Sequence, residues 1–167
     1  MFLLQGKDPA KPNPAIAAAL QAFLTDKDPV MRFTASKALI KWATPETVPA
    51  LIKALNDESV IVRINAMTAL GRLKADAAAE PIARKLASTQ DRFQASQALQ
   101  DMGPAAEPAI LKMIGDKDWA VRSEVCKILK VVGTQKSVPA LEGLRDDPNP
   151  LVKVMAQQAL EAITARK

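Results

Sequence analysis

Histidine is absent from the 167 residues, and so is tyrosine. Without an imidazole the chain has no Ser-His-Asp or Cys-His pair, no His-ligated metal and no ordinary neutral-pH proton shuttle. One cysteine, Cys126, excludes an internal disulfide. Aromatic residues make up only 4%. No apolar run approaches the roughly 20 residues that span a bilayer. The opening Met1-Phe2-Leu3-Leu4-Gln5-Gly6 is too short for the apolar centre of a signal peptide. Walker motifs, Gly-rich phosphate loops and Cys clusters are also missing. What remains is an apolar fraction of 49% dominated by Ala and Leu, which lose little on entering a helix. The net charge of +5 comes from 23 basic and 18 acidic residues, interspersed along the chain. That balance permits an acidic or nucleic-acid partner without demanding one.

A repeat runs through the sequence. Arg32, Arg63, Arg92, Arg122 and Lys153 are separated by 31, 29, 30 and 31 residues. Around them recur Val30-Met31-Arg32…Ala35…Ala38-Leu39, Val62-Arg63…Ala66…Ala69-Leu70, Arg92…Ala95…Ala98-Leu99, Val121-Arg122…Val125…Ile128-Leu129 and Val152-Lys153…Ala156…Ala159-Leu160. A second set of words precedes them: Pro14-Ala15-Ile16, Val48-Pro49-Ala50-Leu51, Glu80-Pro81-Ile82, Glu107-Pro108-Ala109-Ile110 and Val138-Pro139-Ala140-Leu141. Proline suits the first turn of a helix, where its missing N–H would have no partner. Each unit therefore predicts a short first helix opened by proline, a turn carrying Asp, and a longer second helix carrying the basic anchor.

Counting the anchor as zero, positions −1, +3, +6, +7 and +10 are almost wholly apolar, the last being Trp42, Leu73, Met102, Val132 and Ile163. These positions share one face of a 3.6-residue helix. Small residues at +3 and +6 allow neighbouring helices to approach closely. One such hairpin cannot bury its face alone, but a stack can. The expected fold is all-α, an α-α superhelix of about five antiparallel helical hairpins. Its units fall at about 13–47, 48–78, 79–106, 107–137 and 138–167, with residues 1–12 left as the remnant of a preceding repeat or a linker.

These words resemble HEAT repeats, in particular the short, roughly 30-residue variety first noted in phycobilisome lyases. The likeness covers residues 13–167. It implies an inner face lined by the second helices. It also implies a structural ladder of hydrogen bonds between successive repeats, made by turn aspartates and second-helix cations and matched here by Asp26 with Arg32, Asp57 with Arg63, Asp116 with Arg122, and Asp147 with Lys153. The third unit departs from this pattern. Leu86 to Arg92 spans six residues where Leu55 to Arg63 spans eight, Leu86 stands in the aspartate's place, and Ser88-Thr89-Gln90-Asp91 forms a tightened turn expected to bend the superhelix. Neither end carries an obviously polar cap, so a longer parent protein is expected. Its compartment is left open, export included.

Opposite the core stripe, position +1 reads Phe33, Ile64, Phe93, Ser123 and Val154, and −2 reads Val30, Ile61, Gln90, Ala120 and Leu151. Val60 and Trp119 lie at −3. An apolar stripe where polar residues belong marks an interaction site, and aromatic anchors are typical hot spots. Lys37 and Lys127 at +5, with Lys41 and Arg72 at +9, flank the stripe. The expected partner-binding groove is therefore Phe33, Lys37, Lys41, Val60, Ile64, Arg72, Phe93, Trp119 and Lys127. Phe33→Asp and Phe93→Asp should weaken binding and spare stability.

The function that follows is a non-catalytic scaffold holding a protein or peptide, acidic residues favoured, with no cofactor and no metal. Self-association through the same patch is compatible. The family resemblance opens two alternatives. Alkylpurine DNA glycosylases hold DNA on a basic concave face, but only Asp101 and Glu124 lie near the groove here, in no recognisable motif. Bilin lyases share the repeat, which would make the chain an accessory subunit, though Cys126 looks packed rather than reactive. Deoxyhypusine hydroxylase is also similar in repeat type, but its iron needs His-Glu pairs that a histidine-free chain cannot supply.

Overall fold

Helix starts follow from local chemistry. Asn13, Asp28, Asp118 and Asn149 each accept a hydrogen bond from a backbone N–H in the first turn that follows, and such caps are worth about 1 kcal/mol. Proline sits in the first turn after Asn13, Asp28 and Asn149. The computed structural model describes residues 12–166. The segment 1–12, expected to be a remnant or linker, lies outside the described residues except for Pro12.

Short and long helices alternate. The short ones are α1 (Pro14–Ala22), α3 (Val48–Ala54), α5 (Ala79–Arg84), α7 (Glu107–Leu111) and α9 (Val138–Glu142). The long ones are α2 (Pro29–Trp42), α4 (Val60–Leu73), α6 (Arg92–Met102), α8 (Trp119–Val132) and α10 (Pro150–Ala165). No strand occurs among the described residues. The architecture is an all-α solenoid of antiparallel helical pairs.

The long helices carry the core. Every residue at +3, +6 and +7 is buried, and the +7 leucines Leu39, Leu70, Leu99 and Leu129 are wholly so. Burying each such side chain contributes about 2 kcal/mol. Even helices α2 and α4, α4 and α6, and α8 and α10 pack along one another, whereas among the short helices only α5 and α7 make substantial mutual contact. The even helices therefore form the tighter row, as the inner side of a curved stack must. Helices α4 and α6 approach closely at Gly71, where an added Cβ would stand 3.0 Å from both Cα and O of Ala98. Gly71→Leu is expected to lower stability by about 2 kcal/mol by forcing α4 and α6 apart. Thermal unfolding followed by circular dichroism measures it, and an unchanged Tm would contradict the packing.

The third unit breaks the rhythm. Helix α6 has 11 residues against 14 in α2, α4 and α8. It ends at Gly103, whose φ of +77° suits glycine and few other residues. Across its far side, α6 packs against α8 far less closely than the other even neighbours pack. The tightened turn thus loosens the inner row at the one junction where the outer row is close.

Buried cations tie the units together, but not in the pairs expected. Within each unit the arginine donates to a backbone carbonyl six residues earlier: Arg32 to Asp26, Arg63 to Asp57, Arg92 to Leu86 and Arg122 to Asp116. The carboxylate contacts run forward to the next unit. Arg32 Nε donates to Asp57 at 2.9 Å, and Arg122 grips both oxygens of Asp147 at 2.7 and 2.8 Å. The expected same-unit carboxylate pairs are corrected accordingly. Asp26 and Asp116 instead accept the N–H of Asp28 and Asp118 within their own turns. Lys153 meets Asp147 only as a nearby charge.

Unit three, whose ladder aspartate is replaced by Leu86 in the repeat alignment, nevertheless has a rung. Asp91, at a position that is apolar in the other copies, is buried and accepts Arg63 Nε at 3.0 and 3.1 Å. Compression of the turn brings it into the vacated place. The shift carries one step further, because Arg92 pairs with Asp118 rather than Asp116.

Glu107, only 3% exposed at the start of α7, accepts the N–H and hydroxyl of Thr134 and the hydroxyl of Ser137. Burial disfavours its charge, but the Ser137 hydroxyl and the Thr134 N–H and hydroxyl outweigh that and hold the carboxyl below the ordinary range. This staple joins unit four to the turn before α9. At the last helix, position +4 is Gln157, exposed, where earlier copies bury Ser36, Met67, Ser96 and Cys126.

Candidate functional site

Seven large apolar side chains are exposed among the described residues: Val30, Ile61, Phe93, Trp119, Val131, Leu151 and Val154. All seven lie on even helices. The short helices contribute none, so the exposed large apolar side chains are confined to one row of the stack.

Of the groove residues expected from the sequence, Lys37, Arg72, Phe93, Trp119 and Lys127 are exposed, while Phe33, Lys41, Val60 and Ile64 are half-buried. Phe33 and Ile64 also pack against the core. The expectation that Phe33→Asp spares stability is corrected for that reason, and Phe93 keeps the clean position at 80% exposure. The spread within position +1 has a simple cause. Phe33 and Ile64 lie on helices that pack closely along the next one, and both are half-buried. Phe93 faces the loose α6–α8 junction, and Val154 has no described helix beyond it.

Charge divides the row into two halves. Neither α2 nor α4 contains an acidic residue, and their surface carries Lys37 and Arg72, while Lys41 is engaged with a partner. Lys37 Nζ stands 5.6 Å from the centre of the Phe33 ring, within cation–π range. Further along, cations are matched. Lys127 bonds Glu124 at 3.0 Å, Arg92 bonds Asp118 at 2.9 Å, and Lys130 bonds Gln158.

A hollow of about 380 Å³ opens between α8 and α10 on this same face. Trp119, Ala120, Leu151 and Met155 give it apolar lining, joined by Arg92, Glu124, Lys127 and the buried Ser123. Ser123 is 6% exposed, and its hydroxyl makes no hydrogen bond among the described residues. The sequence stripe signals Trp119 and Leu151. It does not signal Met155, at +2, or that Ser123 is left without a partner, because both depend on how α8 and α10 meet.

Chemistry elsewhere is sparse. Cys126 is buried, and burial pushes its thiol up to about 12, so it is a poor nucleophile at neutral pH. No group of three His, Cys, Asp or Glu suited to a metal ion occurs among the described residues. No helix among them is long and apolar enough to cross a membrane.

Comparison with solved structures finds the same architecture in unlike proteins. The complex of CpcE and CpcF of phycocyanin lyase from Nostoc sp. PCC7120 is similar at 23% identity, with a TM-score of 0.62 over 96% of this chain and 68% of that one. An engineered protein matches at 22% identity and a TM-score of 0.58, covering 98% and 88% of the two chains. A designed armadillo repeat protein in complex with the peptide (KR)4 matches at 21% and 0.54, covering 97% and 89%. At these identities the likeness is one of fold. A search of curated proteins finds no match. HEAT repeats, as a family, match residues 16–100 and 81–161, which together take in almost all of the helical stack. The chain belongs to the HEAT-repeat family.

Proposed function

We propose that the chain is a non-catalytic scaffold that holds a segment of a partner protein along its row of even helices. The observation that carries this reading is the confinement of all seven exposed large apolar side chains to that row. Apolar patches rimmed by polar residues mark interaction sites, and Phe93 and Trp119 are of the type that dominates binding energy. The absence of histidine and the burial of the one thiol support a non-catalytic role. Nucleic acid is disfavoured because Asp101 and the Lys127–Glu124 pair interrupt the positive charge a phosphate backbone would need.

The test is selection of linear peptides from a random display library against the intact chain. Selected peptides should bind the Phe93→Asp variant at least about tenfold more weakly. Stability of that variant should change by no more than about 0.5 kcal/mol, as for an ordinary surface substitution. Peptides that bind wild type and variant equally, or failure to select any, would remove this function.

A further inference from the structure

Resting on that scaffold reading, we infer that the bound segment is bipartite: a tyrosine of the partner fills the α8–α10 hollow, and acidic residues of the same segment lie over α2 and α4. Three observations define the two ends. The hollow is lined by an indole, a thioether and a leucine, surfaces that favour an aromatic ring. Its cations are already neutralised by Glu124 and Asp118, so the site does not ask for an anion. Its lining includes a hydroxyl that is nine-tenths buried and unpartnered, which a phenol can satisfy as donor or acceptor. The opposite end has the reverse character. Lys37 and Arg72 stand on helices without a single acidic residue, so acidic side chains complement it.

The stack sets the distance between them. Neighbouring helices lie about 8–10 Å apart, so two to three steps from α8 to α4 and α2 cover roughly 20–30 Å. An extended chain crosses that span in about six to nine residues. Phe93, the most exposed large apolar side chain, lies between the two ends and offers an intermediate contact.

Fluorescence anisotropy with a labelled synthetic peptide tests this. The peptide carries one tyrosine, a Gly-Ser spacer of about eight residues and a short run of glutamates, made in both chain directions. One direction should bind, and changing its tyrosine to alanine should weaken binding by about tenfold. Tyrosine to phenylalanine in the peptide, or Ser123→Ala in the protein, should each cost about threefold to tenfold. The two changes combined should cost no more than either alone. Ser123→Ala should leave the Tm unchanged, because the hydroxyl has no partner to lose. Glutamate to glutamine in the peptide, or the pair Lys37→Glu and Arg72→Glu in the protein, should weaken binding and flatten its salt dependence. Binding indifferent to Ser123→Ala or to charge reversal overturns the inference. If these peptides fail while Phe93-dependent peptides emerge from the library, the inference falls and the scaffold function stands. If the library also yields nothing, both fall.

Discussion

Arg122→Ala should lower the stability of the chain by about 3 kcal/mol at neutral pH, and the loss should shrink in acid. The guanidinium donates to both oxygens of Asp147 and to two turn carbonyls, Asp116 and Lys117. Removing it leaves a carboxylate that is only 6% exposed without its cation. The Arg122 hydrogen bond holds the Asp147 carboxyl below its ordinary range, and Asp147 in turn raises Arg122. A carboxyl with a lowered folded pKa contributes stability that is complete above its unfolded value, about 3.9, and is lost as pH falls through the folded value. Wild type and variant should therefore differ most above about pH 5 and converge toward the acid limit. Denaturant melts at a series of pH values measure this. A gap that stays constant into acid would show that the arginine acts through packing alone. Arg122→Lys should recover only part of the loss, since an ammonium cannot grip two oxygens and two carbonyls in one plane.

The second large effect lies in the core. Leu129→Ala removes a fully buried core side chain from α8, which packs along α10. The cost should be about 3 kcal/mol, within the range for leucine truncations that leave a cavity. In a linear stack each unit leans only on its neighbours. Hydrogen exchange should therefore show α8 and α10 losing protection while α2 and α4 keep theirs. Uniform loss along the chain would mean that the stack unfolds as one body. Little change in stability would mean that the site collapses around the smaller side chain.

The helices and the core face are legible in the residue pattern alone. Leucine at +7 recurs in every copy, and alanine at +3 in all but the fourth, because each copy solves the same packing problem. All of these side chains are buried. Relations between units are harder to read. Asp57 and Arg63 are six residues apart and look paired, yet the partner of Asp57 is Arg32, one unit back. Spacing within a word does not reveal which word the side chain will reach. Asp91 is obscured for a related reason, since it occupies a core position in the repeat alignment and becomes a ladder residue only when the turn contracts.

The groove shows the same division. Phe33 and Phe93 hold equivalent positions, but one is partly covered and the other stands open. The difference lies in how closely the next helix sits, a quantity set two dozen residues away. In the sequence Ser123 is only a polar break in an apolar stripe. Its importance comes from the buried, unanswered hydroxyl, which no pattern of residue types displays.

The sparse packing between α6 and α8 also has a mechanical side. Side chains that interlock resist shear in proportion to the atoms they bring together, so a coil whose turns are unequally meshed yields first where the mesh is thinnest. The two halves of this coil, joined at Phe93 and Gly103, should act as comparatively rigid jaws about a compliant joint. A rotation there would change the gap between the lysine-bearing end and the tryptophan-bearing end without unpacking either half.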